Sequence, residues 1–144
     1  MNNVRQLLRV KGTEVWTISK NCSVMEALEK MAEKKVGSLM VDDGDNVVGI
    51  FTERDHARRV GLLNRKPEAV EIHEVMSPDL ITVSPTQSVR ECMKIMTESR
   101  VRHLPVFEDG KMVGIVSIGD VVRDLIEELE FLVEQLQNYI KGLS

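Results

Sequence analysis

Two short stretches of the chain pair a hydroxyl residue with an aspartate three positions later. Thr52 is followed by Asp55, and Ser117 is followed by Asp120. In both, the hydroxyl residue ends an apolar strand-like run and the aspartate falls in the first turn of a predicted helix. Backbone N–H groups at a helix start can hold a phosphate, and a carboxylate one turn further on can accept hydrogen bonds from a ribose diol. The same spacing is also typical of a helix cap, so both interpretations stand.

Basic residues lie close to these two stretches in the sequence. Arg54, Arg58 and Arg123 fall on the same predicted helices, while Arg100, Arg102 and His103 lie just before or at the start of a predicted strand. Guanidinium groups bind phosphate in a fork geometry, which favours an anion site in a chain of net charge −4. The alternative is a set of solvated charges that balance nearby acids.

Residues for catalysis or metal binding are not arranged in a recognisable pattern. The three histidines are scattered, and Cys22 and Cys92 form neither a CxxC motif nor a set with metal spacing. No histidine lies near a serine or cysteine nucleophile by motif. We therefore expect no enzymatic activity, no metal and no catalytic cofactor, and we interpret both cysteines as buried thiols in a reducing compartment.

An internal repeat determines the predicted architecture. When the chain is shifted by 65 residues, Val15–Val60 aligns with Leu80–Leu125 without a gap, and 15 of the 46 positions are identical. Thr52 and Asp55 then align with Ser117 and Asp120. The pattern indicates a tandem duplication.

Each copy is predicted to have the element order β-α-β-β-α. Ser23 with Glu26, and Ser88 with Glu91, indicate a capping box before the first helix of each copy. The predicted strands are Val15–Ile18, Ser38–Val41 and Val47–Phe51 in the first copy, and Leu80–Val83, His103–Phe107 and Met112–Val116 in the second. The second helices are predicted to begin at Glu53 and Ile118.

The predicted fold class is α+β, with two such repeats packed about a pseudo-twofold axis and an extended C-terminal helix. One copy of roughly 60 residues would be marginally stable alone, which is why the two are expected to pack together. The predicted organisation is a first domain over residues 8–66, a linker over 67–75, a second domain over 76–130 and a helical extension over 131–144.

The predicted C-terminal helix continues beyond the repeat. Its apolar residues alternate steps of four and three and are flanked by glutamates: Leu125, Leu129, Leu132, Leu136 and Tyr139. This stripe could pack back onto its own domain or mediate dimerisation, and the sequence favours neither.

The composition of the chain argues against nucleic acid as a partner and against a membrane location. A pI near 5.4 and only five aromatic residues disfavour nucleic acid as a partner. No apolar run approaches the roughly 20 residues of a membrane span. The first residues lack the apolar centre of a signal peptide, so we expect a cytoplasmic protein without membrane contact.

The chain resembles a tandem pair of CBS domains, named after cystathionine β-synthase and often called a Bateman module. The resemblance rests on GIFTERDHARRV, on GIVSIGDVV and on RVRHLPVFEDGKMVGIVS, and it extends from about Val10 to Ile126. The C-terminal QLQNYIKG is similar to a subgroup with a single pair found in bacteria and organelles. Nothing remains for a separate catalytic domain, which implies a stand-alone module.

The resemblance implies that clefts between the paired repeats bind an adenosine-containing ligand. AMP, ADP, ATP or NAD(H) fit the basic residues better than the cationic S-adenosylmethionine. Asp55 and Asp120 would bind ribose, while Thr52, Ser117, Arg54, Arg102 and His103 would face phosphate. The implied site comprises Thr17, Gly37, Ser38, Leu39, Ile50, Thr52, Arg54, Asp55, Arg58, Thr82, Arg102, His103, Leu104, Pro105, Ile115, Ser117 and Asp120.

The implied function is regulatory sensing of cellular energy or cofactor state. Ligand occupancy would be passed on as a change in conformation or in homodimer geometry to an unidentified regulated protein. The two clefts are not expected to be equal, because Gly37 and Ser38 align with Arg102 and His103. The alternative function is a structural or interaction module with empty clefts.

Overall fold

The computed structural model describes residues 2–143, which form two compact units. The first unit comprises residues 15–80, and the second comprises residues 2–14 together with 81–143. The domain bounds predicted from the sequence, including the linker over 67–75, remain a prediction. In chain order the elements are α1 (Val4–Lys11), β1 (Thr17–Ser19), α2 (Val24–Lys34), β2 (Ser38–Asp42), β3 (Val47–Thr52), α3 (Glu53–His56), α4 (Val89–Ser99), β4 (His103–Glu108), β5 (Lys111–Ser117) and α5 (Ile118–Gly142).

The first unit contains a three-stranded sheet of order β1-β2-β3. β1 is parallel to β2, and β2 is antiparallel to β3, with Ser38 opposite Thr52. Helix α2 connects β1 to β2, and its N-terminus has the predicted capping box of Ser23 and Glu26. Beyond α3 the chain continues as a π-helical turn, Ala57–Gly61, and later forms a 3-10 turn, Ile72–Glu74. The core consists of aliphatic residues with one aromatic, Phe51.

The second unit repeats the helix and hairpin of the first. Helix α4 packs with the antiparallel pair β4–β5, in which His103 is opposite Ser117. The core again consists of aliphatic residues and includes Cys92 from α4 and Val121 from α5. The predicted helices and hairpin strands are thus confirmed in both copies, with each strand extending one or two residues beyond its predicted bounds.

The predicted strand Leu80–Val83 is wrong in extent, because only a parallel bridge between Val83 and Val106 forms there. The reason is visible in the alignment at an offset of 65. In the first unit the N–H of Lys20 donates to Asp42 and that of Met40 donates to Trp16. The aligned residues are Pro85 and Pro105, which have no N–H to donate.

The predicted capping box of the second copy is only half present. The Ser88 side chain accepts from the Glu91 N–H at 3.0 Å, as expected. The Glu91 carboxylate accepts from the side chain of Gln87 at 3.2 Å. In the first copy the residue aligned with Gln87 is Cys22, which has no side-chain amide to donate. The glutamate of the second cap therefore has a side-chain amide donor that the first cap lacks.

The segment before each repeat belongs to the compact unit of the other repeat. Helix α1 precedes the first repeat but packs in the second unit, where a Cβ on Gly114 would lie 2.8 Å from Leu8 Cδ2. Met76 and Ser77 precede the second repeat but pack in the first unit, where a Cβ on Gly49 would lie 2.8 Å from the Ser77 carbonyl oxygen. Glycine at these two aligned positions allows the close approach.

Helix α5 extends far beyond the core of the second unit. Leu125 packs against that core, whereas the apolar residues that follow are exposed, with Leu129 at 57% and Leu136 at 62%. The stripe therefore does not pack back onto its own unit beyond Leu125. No helix within residues 2–143 combines the length and apolar character needed to cross a membrane.

Candidate functional site

The first candidate site is the carboxylate of Asp55, which is 8% exposed. Its Oδ2 accepts from the Thr52 N–H at 3.0 Å and from the Thr52 hydroxyl at 3.2 Å. The Asp55 N–H in turn donates to Thr52 Oγ1 at 3.2 Å. The capping interpretation of this pair is therefore confirmed, and the cap holds the carboxylate at the end of β3.

A residue from outside the motif completes this first site. The Ser77 hydroxyl donates to Asp55 Oδ1 at 3.1 Å. Ser77 is fixed by two backbone hydrogen bonds with Ile50, of 3.0 and 2.9 Å, so it extends the sheet beside β3. The Arg59 guanidinium further secures this segment by donating to the carbonyl oxygens of Val75 and Met76.

The second candidate site is the carboxylate of Asp120 at the start of α5. Its Oδ2 accepts from the Ser117 N–H at 2.9 Å, and its own N–H donates to Ser117 Oγ at 3.2 Å. This is the same capping box as in the first unit. The additional side-chain partner is a lysine here, whereas it is Ser77 in the first unit. Lys11 Nζ lies 2.6 Å from Asp120 Oδ2 and also donates to the Ile115 carbonyl oxygen at 2.8 Å.

The surroundings of Asp120 lower its pKa. Burial acts to raise the pKa of this carboxyl, but the hydrogen bond from Lys11, the Ser117 N–H and the lysine charge together outweigh burial. Arg123 adds a weaker contact, with Nη2 at 3.4 Å from Asp120 Oδ1. The carboxylate is thus held ionised next to a cation.

Other residues of the implied first site lie on or beside β1, β2 and β3 and in the helical segment that follows β3. The Glu53 N–H donates to the Gly37 carbonyl oxygen at 3.2 Å, which joins the start of α3 to the start of β2. Thr17 pairs with Met40 across the sheet. Ser38 and Ile50 lie on the paired strands β2 and β3, where Ser38 is buried and Ile50 is half-buried. Leu39 lies in the core of the unit. The side chains of Arg54 and Arg58 are exposed.

The second unit places the aligned residues of its hairpin in the same way. The Ile118 N–H donates to the Arg102 carbonyl oxygen at 2.9 Å. His103 pairs with Ser117, and Pro105 pairs with Ile115. Leu104 lies in the core and Thr82 is exposed. Leu39 and Leu104 can therefore offer a ligand only backbone atoms, since their side chains are fully buried.

Sequence reasoning missed two of the side chains that contact the aspartates, Lys11 and Ser77. Neither belongs to a motif, and neither lies near its partner in the chain. An extension of the repeat alignment does reveal a difference at these positions, because Lys11 aligns with Met76 and Gly12 with Ser77. That alignment alone does not show which unit each segment joins.

The described residues contain no group of three or more His, Cys, Asp or Glu side chains placed to hold a metal ion. Both cysteines are free thiols. Cys92 is buried, and burial raises its pKa to about 11, whereas Cys22 is only partly buried. The expectation of two buried thiols therefore holds for Cys92 alone.

Fold and site together define a protein with two repeats, each of which presents a capped aspartate where a hairpin strand meets a helix. The model of the CBS domain family matches residues 4–55 and 72–127, and the chain belongs to this family. The matched ranges begin in α1 and in the 3-10 turn, the two segments that precede the repeats.

Proteins of the same family are similar over most of the chain. The mitochondrial CBS domain-containing protein CBSX3 of Arabidopsis thaliana is 35% identical over 136 residues, which are 91% of this chain and 66% of that protein. A protein with CBS domains from Burkholderia ambifaria is 46% identical, with a TM-score of 0.86 and coverage of 88% and 95% of the two chains. A hexameric CBS-CP12 protein from bloom-forming cyanobacteria is 26% identical, with a TM-score of 0.74 and coverage of 83% and 66%.

Proposed function

We propose that the protein is a regulatory module that binds adenosine-containing nucleotides at its two capped aspartates. AMP, ADP, ATP and NAD(H) are the proposed ligands, and S-adenosylmethionine is a weaker candidate. The observation that carries the proposal is the recurrence of one arrangement, a carboxylate held by a hydroxyl residue at a strand–helix junction, in both units. Membership of a family of regulatory modules supports it.

The geometry is suited to a ribose diol. In each unit one carboxylate oxygen is held by the backbone N–H of the hydroxyl residue, which leaves further lone pairs to accept hydrogen bonds from a ligand. The carboxylate is oriented before a ligand arrives, so binding needs little side-chain ordering.

Regulation requires that the ligand prefers one conformation of the protein. A ligand shifts a conformational equilibrium only by its differential affinity for the two states. Ser77 lies on the chain between the repeats, and a ligand that contacts Asp55 would act on that segment directly. We propose that ligand occupancy is passed on in this way to a regulated protein partner, without enzymatic activity. We also propose a cytoplasmic location, since free thiols are maintained in that compartment.

We further propose that the chain assembles as a homodimer through α5. Seven exposed apolar residues along this helix and at its C-terminal cap follow steps of four and three: Val122, Ile126, Leu129, Val133, Leu136, Ile140 and Leu143. This spacing is typical of a helix that packs against another helix. The hexameric relative from cyanobacteria supports self-association within the family.

The test of nucleotide binding is a thermal-shift panel with AMP, ADP, ATP, NAD⁺, NADH and S-adenosylmethionine, with GMP as the control ligand. A ligand at 100 times its Kd stabilises the protein by about 2.7 kcal/mol, which should raise Tm by roughly 5–10 °C. Asp55→Ala and Asp120→Ala should each weaken binding at their own site about tenfold or more. Asp79→Ala, at an exposed position, is the matched control.

The competing proposal is a structural module whose sites bind no nucleotide. It is favoured if no compound of the panel shifts Tm. It is also favoured if the double variant Asp55→Ala/Asp120→Ala binds as tightly as the unaltered protein.

A further inference from the structure

The two candidate sites differ in the charge that contacts the aspartate. The side chains that contact the Asp55 carboxylate include the uncharged hydroxyls of Thr52 and Ser77. Asp120 contacts two cations, Lys11 at 2.6 Å and Arg123 at 3.4 Å. Two positive charges around one carboxylate leave the Asp120 site with a local excess of positive charge.

Lys11 is the more firmly placed of the two cations. It ends α1, whose Val4, Leu7 and Leu8 are buried in the core of the second unit. Its side chain is 28% exposed, whereas that of Arg123 is 67% exposed. An exposed pair is screened by solvent and contributes little, so Lys11 dominates the electrostatics of the site.

The ammonium group retains a donor for a ligand. An ammonium has three N–H donors, and Lys11 uses one for Asp120 and one for the Ile115 carbonyl oxygen. The start of the 25-residue helix α5 adds its positive dipole end beside the same carboxylate. The aligned residue in the other copy is Met76, which has no charge to contribute.

We propose that Lys11 makes the Asp120 site selective for phosphorylated nucleosides over nucleosides. Asp120 accepts the ribose hydroxyls while Lys11 donates to a phosphate oxygen of the same ligand. The Asp55 site has Met76 at the position aligned with Lys11, so this position gives it no preference for nucleotides over nucleosides. This inference rests on the proposed nucleotide binding and assigns its specificity to a residue of α1 that lies outside every sequence motif.

The experiment measures AMP and adenosine affinities by isothermal titration calorimetry in an Asp55→Ala background, in which binding at the Asp55 site is weakened and the Asp120 site binds more tightly than the Asp55 site. Asp55→Asn serves as the background if the alanine variant does not fold. Lys11→Met should weaken AMP binding about tenfold or more, as expected for loss of a charge-assisted hydrogen bond, and change adenosine binding less than about twofold. Lys11→Arg should retain the preference for AMP. Lys94→Met, at an exposed position of α4, should bind as the background does.

An equal loss of AMP and adenosine affinity in Lys11→Met would overturn the inference, because Lys11 would then only position Asp120. Tighter AMP binding in that variant would also overturn it, since the lysine would then block the site. Failure of the proposed function gives a different result, in which neither the unaltered protein nor the background binds AMP or adenosine.

Discussion

Lys11 Nζ lies 2.6 Å from Asp120 Oδ2, although the two residues are 109 positions apart in the chain. This ion pair ties the end of α1 to the start of α5 within the second unit. The equivalent tie in the first unit is the hydrogen bond from the uncharged Ser77 hydroxyl to Asp55. The duplicated aspartates therefore share their backbone geometry but not their electrostatics.

The ion pair predicts how stability depends on pH. The folded-state pKa of Asp120 is lowered, so its ionised form stabilises the fold above the ordinary pKa of 3.8, and this contribution is lost as the pH falls through the lowered folded value. We expect Lys11→Met to lower the free energy of unfolding by about 1 kcal/mol at pH 7 and by less at pH 3. Urea unfolding at both pH values measures this, with Lys94→Met as the control. An equal effect of Lys11→Met at both pH values would contradict the prediction.

Replacing the aligned glycines Gly49 and Gly114 by alanine should lower the free energy of unfolding by different amounts. A Cβ at position 49 meets the Ser77 backbone oxygen at 2.8 Å, whereas the three heavy atoms nearest to a Cβ at position 114 all belong to the Leu8 side chain. A side-chain methyl can move and a backbone carbonyl cannot move without breaking the Ile50–Ser77 pairing. We expect Gly49→Ala to destabilise by about 1–3 kcal/mol and Gly114→Ala by less.

Denaturant unfolding of the two variants measures the difference, with Gly142→Ala as a control because nothing lies within 4 Å of its Cβ. Equal costs at positions 49 and 114 would show that the segment around Ser77 shifts as easily as the Leu8 side chain.

The exposed stripe of α5 predicts the oligomeric state. The unaltered chain should have a solution mass of at least twice 16.3 kDa. Leu129→Asp with Leu136→Asp should weaken association at least about tenfold, because each leucine loses roughly 1.5–3 kcal/mol of apolar burial. Light scattering after size exclusion measures the mass, and Glu130→Asp with Gln137→Asp controls for changes on the polar face. A monomer at all concentrations would refute the homodimer, and an assembly unaffected by the leucine variants would place its interface elsewhere.

Local patterns in the sequence were sufficient to predict most of the secondary structure. The helical spacing after Ser23 and Ser88 predicts α2 and α4, and the alternating strands around the turns predict both hairpins. These elements depend on residues within a few positions of each other. The loss of the strand around Val83 was also encoded locally, in Pro85 and Pro105, but the strength of the repeat led to the prediction of the same element order in both copies.

The sequence alone determined the duplication, the two capped aspartates and the family to which the chain belongs. Tertiary structure decided which side chain meets each aspartate, because Lys11 and Ser77 arrive on segments that pack in the unit of the other repeat. Hydrogen bonds of a cap form between residues three positions apart, so a short motif reveals them. An ion pair between residues 11 and 120 exists only because Leu7 and Leu8 bury α1 in the second unit, and that packing is a property of the folded core.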